Sequence, residues 1–109
     1  MSLTGYRLMW MMVLFDLPVA TKPERSAATK FRNFLLDQGF EMSQFSVYMR
    51  FCSGKEQTEA TTRRVGKNVP ETGKVHIVYF TDKQYENIVC FDGRKREPAR
   101  KNPDQFVLF

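Results

Sequence analysis

The chain has 109 residues, of which 42% are hydrophobic and 27% are charged, and this size and composition favour one soluble globular domain. The formal net charge of +5 favours an anionic partner, with nucleic acid ahead of a membrane surface. The apolar run over residues 8–15 is too short to span a membrane and has no signal-peptide cleavage site after it, so no membrane partner is expected. Two isolated cysteines, Cys52 and Cys90, lack zinc-site spacing and indicate a reducing, cytoplasmic location.

The first predicted element is a buried strand over residues 6–15, rich in aromatic, branched and methionine side chains, which ends before Asp16. A helix follows. Thr21 and Glu24 have the spacing of a capping box at its start, and Gly39 is a typical stop signal at its end. Apolar residues recur at helical spacing between these two signals, which predicts that one face of the helix is buried.

Two short strands are predicted over residues 40–44 and 46–51. Ser53 and Glu56 then have the spacing of a second capping box, which predicts a helix to about residue 68. Further strands are predicted over three later segments, namely residues 74–80, residues 87–91 and, at the chain end, residues 105–109.

The resulting order, β-α-β-β-α-β, predicts an α+β fold of the ferredoxin-like type, with two helices on one face of an antiparallel sheet. We expect one domain over residues 1–109, with a core over about 5–92 and a basic C-terminal extension over about 93–109. The extension is predicted to end in a strand.

Both faces of the first strand are apolar, because alternating side chains such as Trp10, Met12 and Leu14 on one face and Met11 and Val13 on the other are all hydrophobic. Two helices cover only one face of a four-stranded sheet, and soluble monomers rarely expose a large apolar patch. We therefore expect a homodimer with two-fold symmetry that covers the second face. The alternative is that the C-terminal extension folds back over it.

Asp16 has two interpretations at the end of this apolar strand. An aspartate favours turns because its side chain bonds nearby backbone, and it is also a ligand for hard cations such as Mg²⁺. One carboxylate alone is a poor metal site, but a two-fold axis near Asp16 would supply a second copy. No general base stands out, since His76 is a lone mid-strand histidine interpreted as structural.

Four segments carry a resemblance to a known family: VLFDLP around Asp16, the helix KFRNFLLDQGF, the stretch GFEMSQFSVYMR and the late strand KVHIVYFT. Over roughly residues 5–92 the sequence resembles the small CRISPR-associated adaptation nucleases of the Cas-two family, and it is similar to members from type II systems. It departs from many of them at residues 41–43, where those relatives carry a basic residue.

The resemblance implies a ferredoxin-like homodimer in which Asp16 is paired across the dimer axis and binds Mg²⁺ or Mn²⁺. It implies phosphodiester hydrolysis of single-stranded RNA or double-stranded DNA, in spacer acquisition with the integrase partner. The alternative that it leaves open is a non-catalytic adaptor that bridges integrase dimers and binds duplex DNA. It also implies that Ser46 and Tyr48 shape the cleft. We expect residues 105–109 to dock as an edge strand on the partner subunit or on an integrase.

Basic side chains are predicted to hold the nucleic-acid backbone, because phosphate contacts give affinity without sequence readout. An ordinary solvated surface is the alternative for Arg50, for the second helix and for the C-terminal segment. A competing class, the RNA-recognition module, has the same element order, but its glycine-containing signature is absent from residues 46–51. The predicted contacts are Lys22, Arg25, Arg50, Arg63, Arg64, Lys67, Arg94, Lys95 and Arg96.

Overall fold

The computed structural model describes residues 9–98. In these residues a four-stranded antiparallel sheet has the order β2-β3-β1-β4, and a separate two-stranded hairpin pairs β5 with β6. The α+β, ferredoxin-like arrangement predicted from the sequence is confirmed. The elements are β1 (Met9–Asp16), α1 (Lys22–Asp37), β2 (Glu41–Gln44), β3 (Val47–Cys52), α2 (Lys55–Asn68), β4 (Lys74–Thr81), α3 (Asp82–Glu86), β5 (Phe91–Asp92) and β6 (Lys95–Arg96).

Helix α1 begins and ends at the predicted signals. The N–H of Thr21 donates to Glu24 Oε1 at 2.8 Å and the N–H of Glu24 donates to Thr21 Oγ1 at 3.3 Å, so the capping box is complete. At the other end, Gly39 adopts φ +89°. Its N–H donates to Leu36 O and that of Phe40 donates to Leu35 O, each at 3.0 Å, which is the Schellman pattern that terminates helices.

The predicted capping box of α2 is wrong, although the helix itself is confirmed. The N-cap residue is Gly54, which has no side chain to accept a hydrogen bond. Ser53 lies one position too early, and its N–H donates instead to Gln57 Oε1 at 2.9 Å. The helix therefore starts one residue later than the Ser53–Glu56 spacing requires, and its stability comes from tertiary packing of Thr58, Thr61 and Val65.

The core lies between the sheet and helices α1 and α2. Because side chains alternate along a strand, Met11, Val13 and Phe15 of β1 all point toward the helices, where they meet Phe31 and Leu35 of α1. The helix-facing residues of β3, Tyr48 and Cys52, and Phe40 and Val65 complete this cluster.

The other face of the sheet is partly covered by the chain that follows β4. Tyr85 of the short helix α3 stacks on Trp10 with ring centroids 3.8 Å apart, and residues 88–92 line a pocket with Met12 and Met49. Self-coverage by this chain therefore accounts for part of this face, and the expectation that a second copy covers it stays a prediction. The cover comes from residues 82–92, which begin before the predicted extension.

The strand predicted over residues 87–91 is wrong. Helix α3 occupies residues 82–86, and only the last predicted residue, Phe91, belongs to a strand. The start of α3 is fixed by a capping box, in which Thr81 accepts from the N–H of Gln84 and Gln84 Oε1 accepts from the N–H of Thr81. The chain then reaches the β5–β6 hairpin through residues without regular structure.

Some predictions fall outside the described residues. These are the start of the first strand before Met9 and the terminal strand over residues 105–109 with its docking. The basic residues Arg100 and Lys101 of the extension also lie there. The single-domain boundaries stay a prediction. Within residues 9–98, no helix is both long and apolar enough to cross a bilayer.

Candidate metal and nucleic-acid site

Asp16 is the last residue of β1 and is exposed. Its neighbour across the β1–β4 ladder is Lys74, so a carboxylate and an ammonium group leave the sheet at adjacent positions on the same face. Leu14 precedes Asp16 on that face and lies opposite His76. Among residues 9–98 the Asp16 carboxylate has no ion-pair partner within salt-bridge distance, and it is open to an external ligand.

The backbone of Asp16 is held in place by Gly73. This glycine adopts φ +94°, and a Cβ atom there would lie 2.8 Å from the Asp16 carbonyl oxygen and 2.8 Å from Leu17 Cδ2. Both the backbone conformation and the close approach require a residue without a side chain. The turn before β4 therefore passes close to the backbone at the end of β1, next to Asp16.

The turn between β2 and β3 forms a second wall of the site. Ser46 adopts φ +66°, a conformation uncommon for residues other than glycine. Its carbonyl oxygen accepts a hydrogen bond of 3.1 Å from the N–H of Phe15, the residue before Asp16. This bond fixes the turn against the end of β1, and Phe45 projects from it with 80% of its surface exposed.

These elements enclose a pocket of about 310 Å³ beside Asp16. Phe45 and Ser46 line it from the β2–β3 turn, and Lys74 and His76 line it from β4. The structure thus brings two predicted site residues, Asp16 and Ser46, into one pocket. His76 is exposed there, because β4 is an edge strand of the sheet.

The pocket fits a hard cation only in part. Mg²⁺ usually takes one or two carboxylates and completes its shell with waters, and in the part of the chain that the structure describes Asp16 is the one carboxylate that lines this pocket. Within residues 9–98 no group of three or more His, Cys, Asp or Glu side chains has metal-site geometry. The described residues of one chain therefore supply one carboxylate to this pocket, and a second carboxylate would have to come from outside them.

Tyr48, which the resemblance implies as a cleft-shaping residue, does not line the pocket. Tyr48 lies opposite Val13 in the β1–β3 ladder, so its side chain points toward the helices, whereas Asp16 lies on the other face. The ring is 3% exposed and packs in the core against Phe15, with centroids 5.7 Å apart. Tyr48 supports the strand end from behind and does not reach the pocket.

Three predicted phosphate contacts lie together in the groove between α1 and α2. Lys22, Arg25 and Lys67 line it, and Lys30 joins them, although the sequence analysis did not select it. The acidic residues Asp37 and Glu71 line the same groove. Arg25 also has a structural role there, because its Nη1 donates to the carbonyl oxygens of Val19 at 3.2 Å and Ala20 at 3.0 Å.

Arg50 and Arg64 form a separate basic pair. Arg50 Nη1 and Arg64 Nη2 both donate to the buried Thr61 Oγ1, at 3.0 and 3.2 Å. Arg50 lies opposite Met11, which is five residues before Asp16 and hence about 17 Å away along the strand. Arg50 therefore does not lie at the Asp16 end of the strand. Burial raises the pKa of the nearby Cys52 thiol, and the charge of Arg50, a hydrogen bond with Thr58 and the charge of Arg64 oppose this rise.

The remaining predicted contacts are exposed and dispersed. Arg63 lies on α2 beside Tyr79. Arg94, Lys95 and Arg96 are exposed on the turn and second strand of the β5–β6 hairpin, which agrees with either a phosphate contact or a solvated surface. The predicted basic set is thus divided among separate parts of the surface and does not form one track around Asp16.

Sequence reasoning missed Lys74, Phe45 and Arg32. Lys74 was assigned to the correct strand, but its place opposite Asp16 depends on the β1–β4 register. Phe45 lies at the break between two predicted strands, and this break has no strong turn dipeptide. An aromatic residue at such a break was the signal that could have identified Phe45. The guanidinium of Arg32 lies over the Phe45 ring, 5.2 Å from its centroid, a contact that only the tertiary structure shows.

The sheet order, the paired helices and the strand-end pocket define a ferredoxin-like α+β protein with an exposed carboxylate at the end of its first strand. The chain belongs to the family of CRISPR-associated protein Cas2, whose model matches residues 9–88. The CRISPR-associated endoribonuclease Cas2 of Paracidovorax avenae is 64% identical over 107 residues, which cover 98% of this chain and 99% of that protein. The protein of the same name from Flavobacterium psychrophilum is 44% identical, over 98% of this chain and 93% of that protein. The family resemblance found in the sequence is confirmed.

Proposed function

We propose that the protein is a metal-dependent endonuclease that hydrolyses phosphodiester bonds of single-stranded RNA or double-stranded DNA, with Asp16 as its catalytic residue. The observation that carries the proposal is the exposed Asp16 carboxylate, held rigidly at a strand end between Lys74 and the Ser46 turn. Two of the relatives, at 64% and 44% identity, bear the name endoribonuclease. The net charge of +5 fits a polyanionic substrate.

Asp16 is proposed to hold Mg²⁺ or Mn²⁺ in this site. Such a cation supplies Lewis acidity and neutralises negative charge on the phosphate. Lys74 lies beside the carboxylate and would position a phosphate through its ammonium group. The strained Ser46 turn and Gly73 hold the backbone of the site in advance, so that little ordering is needed when the substrate binds.

A homodimer would complete the donor set with the Asp16 of a second copy. Since residues 82–92 cover part of the open sheet face, the contact between copies is proposed to involve the outer edge of β4. This strand ends the four-stranded sheet, and Val78 and Tyr79 on it are more than 40% exposed. An unpaired edge is a template for another strand. The proposed occupant of this edge is the segment 105–109 of a second copy, and the alternative occupant is an integrase.

The second candidate function is a non-catalytic adaptor that bridges integrase dimers and binds duplex DNA during spacer capture. The groove between α1 and α2 favours it, because Lys22, Arg25, Lys30 and Lys67 line a surface suited to phosphate contacts. The RNA-recognition alternative is disfavoured, since Trp10, on a central strand, is stacked under Tyr85 and is closed to a base. We propose a cytoplasmic location on the basis of the two isolated cysteines in the sequence.

The test is cleavage of single-stranded RNA and double-stranded DNA by the wild type and by Asp16→Asn, each with Mg²⁺, Mn²⁺ or a chelator. The matched control is Asp92→Asn, which removes the same charge from an exposed site on the hairpin. We expect metal-dependent cleavage that falls at least about a hundred-fold in Asp16→Asn, the scale of an essential electrostatic group. Full activity in Asp16→Asn would overturn the proposal. Absence of cleavage in both proteins, with intact duplex binding, would favour the adaptor.

A further inference from the structure

We propose that Phe45 is a stacking residue for an unpaired nucleobase at the Asp16 pocket, so that the pocket selects a flexible single strand over a duplex. The inference rests on the proposed function, because it concerns the form of nucleic acid that the same site accepts. Phe45 is the most exposed of the large hydrophobic residues among positions 9–98, at 80%. An isolated exposed hydrophobic residue needs no explanation by itself, but this one is held in position by the turn that carries it.

The turn that carries Phe45 is held in a defined backbone conformation. Ser46 is the one residue other than glycine with positive φ in the described part of the chain, at +66°. Such backbone strain persists where the surrounding structure imposes it, and here the hydrogen bond from the N–H of Phe15 to Ser46 O imposes it. The turn fixes Phe45 beside Asp16, in the pocket that Lys74 also lines.

Arg32 supports the ring from the protein side. Its guanidinium carbon lies 5.2 Å from the Phe45 centroid and 5.8 Å from the Phe15 centroid, within the range of cation–π contact for both rings. Arg32 Nε is buried and has no hydrogen-bond partner among the described residues. The contacts with the two aromatic rings are therefore the interactions that stabilise the guanidinium at this position. Phe45 is thus backed by a cation and still presents most of its surface to solvent.

This arrangement matches the chemistry of a single strand. Aromatic side chains stack on bases without regard to sequence, because every base has a π-face. A base inside a duplex has both faces covered by its neighbours, so an unpaired base is the form that reaches Phe45. Lys74 lines the same pocket as Phe45, and its positive charge suits a phosphate that flanks the stacked base.

The experiment measures binding in chelator, which separates it from cleavage. A single-stranded RNA containing 2-aminopurine is titrated with the wild type, Phe45→Ala, Phe45→Leu and Phe45→Trp, and the fully paired duplex of the same sequence is titrated in parallel. We expect single-strand affinity to fall about ten-fold in the alanine and leucine variants, within the range for one stacked base. The tryptophan variant should retain affinity and the 2-aminopurine quenching, and duplex affinity should not change.

Phe91→Ala is the matched control, since Phe91 is also an exposed aromatic residue, at 62%, but lies on the distal hairpin. Unchanged single-strand binding in Phe45→Ala, or an equal loss in Phe91→Ala, would overturn the inference while leaving the proposed nuclease intact. Dissociation of a dimer by Phe45→Ala in light scattering would also overturn it, because a second copy would then be the occupant. Failure of the wild type to bind either nucleic acid would overturn both proposals.

Discussion

The N–H of Phe15 donates a hydrogen bond of 3.1 Å to the carbonyl oxygen of Ser46, and this bond joins the end of β1 to the turn between β2 and β3. It connects two parts of the chain that each contribute to the pocket, Asp16 from the strand end and Phe45 from the turn. The geometry of the candidate site is therefore set by backbone contacts. Substitutions that disturb this backbone should alter both stability and function.

Substitutions at Ser46 test the strain in this turn. Because φ is +66° there, Ser46→Gly should leave the free energy of unfolding unchanged or raise it by up to about 1 kcal/mol. Ser46→Val should lower it by about 1–3 kcal/mol, since a branched side chain disfavours this region. Urea unfolding followed by circular dichroism measures both values. A valine variant as stable as the glycine variant would show that the turn is relaxed.

Gly73 and Gly66 form a matched pair of glycines with opposite expectations. In Gly73→Ala the new Cβ would lie 2.8 Å from the Asp16 carbonyl oxygen, so the variant should lose at least about 2 kcal/mol of stability and most of its cleavage activity. Gly66 lies in α2 with open space around it, so Gly66→Ala should gain about 0.5–1 kcal/mol. Denaturant unfolding and a cleavage assay test both, and equal effects would contradict the proposed role of Gly73.

The two helix starts predicted as capping boxes should respond differently to alanine. Thr21→Ala removes a side-chain acceptor for the N–H of Glu24 and should cost about 1 kcal/mol. Ser53 does not cap α2, whose N-cap is Gly54, so Ser53→Ala should change stability by less than about 0.5 kcal/mol. Thermal unfolding at one pH compares them. A larger loss in Ser53→Ala would show that the sequence-based assignment of the second cap was right after all.

Cys52 predicts a pH dependence of stability. Burial raises the pKa of this thiol above its ordinary value of 9.0, so as pH rises the unfolded chain loses the Cys52 proton before the folded chain does. The contribution is fully present below pH 9.0 and is lost as pH rises through the raised folded-state pKa. Cys52→Ala, although less stable at neutral pH because of the cavity it leaves, should lose stability less steeply in alkali. Identical slopes in urea titrations from about pH 8 to about pH 10.5 would contradict this expectation.

The sequence predicted those parts of the fold that depend on local signals and periodicity. Thr21, Glu24 and Gly39 mark α1 because capping residues act on their own helix. Asp16 was found because it interrupts an apolar run. By contrast, α3 was missed because its N-cap, Thr81, is also the last residue of a long strand, and a separate strand was predicted over residues 87–91.

The rest of the site depends on pairing between strands, which the sequence does not encode locally. The β1–β4 register places Lys74 beside Asp16, and the β1–β3 register turns Tyr48 into the core. A one-residue change of register would exchange the faces of these side chains. The position of Phe45 similarly depends on the Ser46 conformation, which is imposed by a contact with Phe15 and not by the residues of the turn.

The central claim is that two copies of Asp16, one from each subunit of a dimer, form one hydrolytic site. Subunit mixing tests it most directly: wild type and Asp16→Asn are unfolded together in equal amounts, refolded, and assayed for RNA cleavage in Mg²⁺ at constant total protein. If each site needs both carboxylates, only wild-type dimers are active, and about a quarter of the wild-type rate should remain. A residual rate of about half would mean that each chain acts independently and would contradict the shared site.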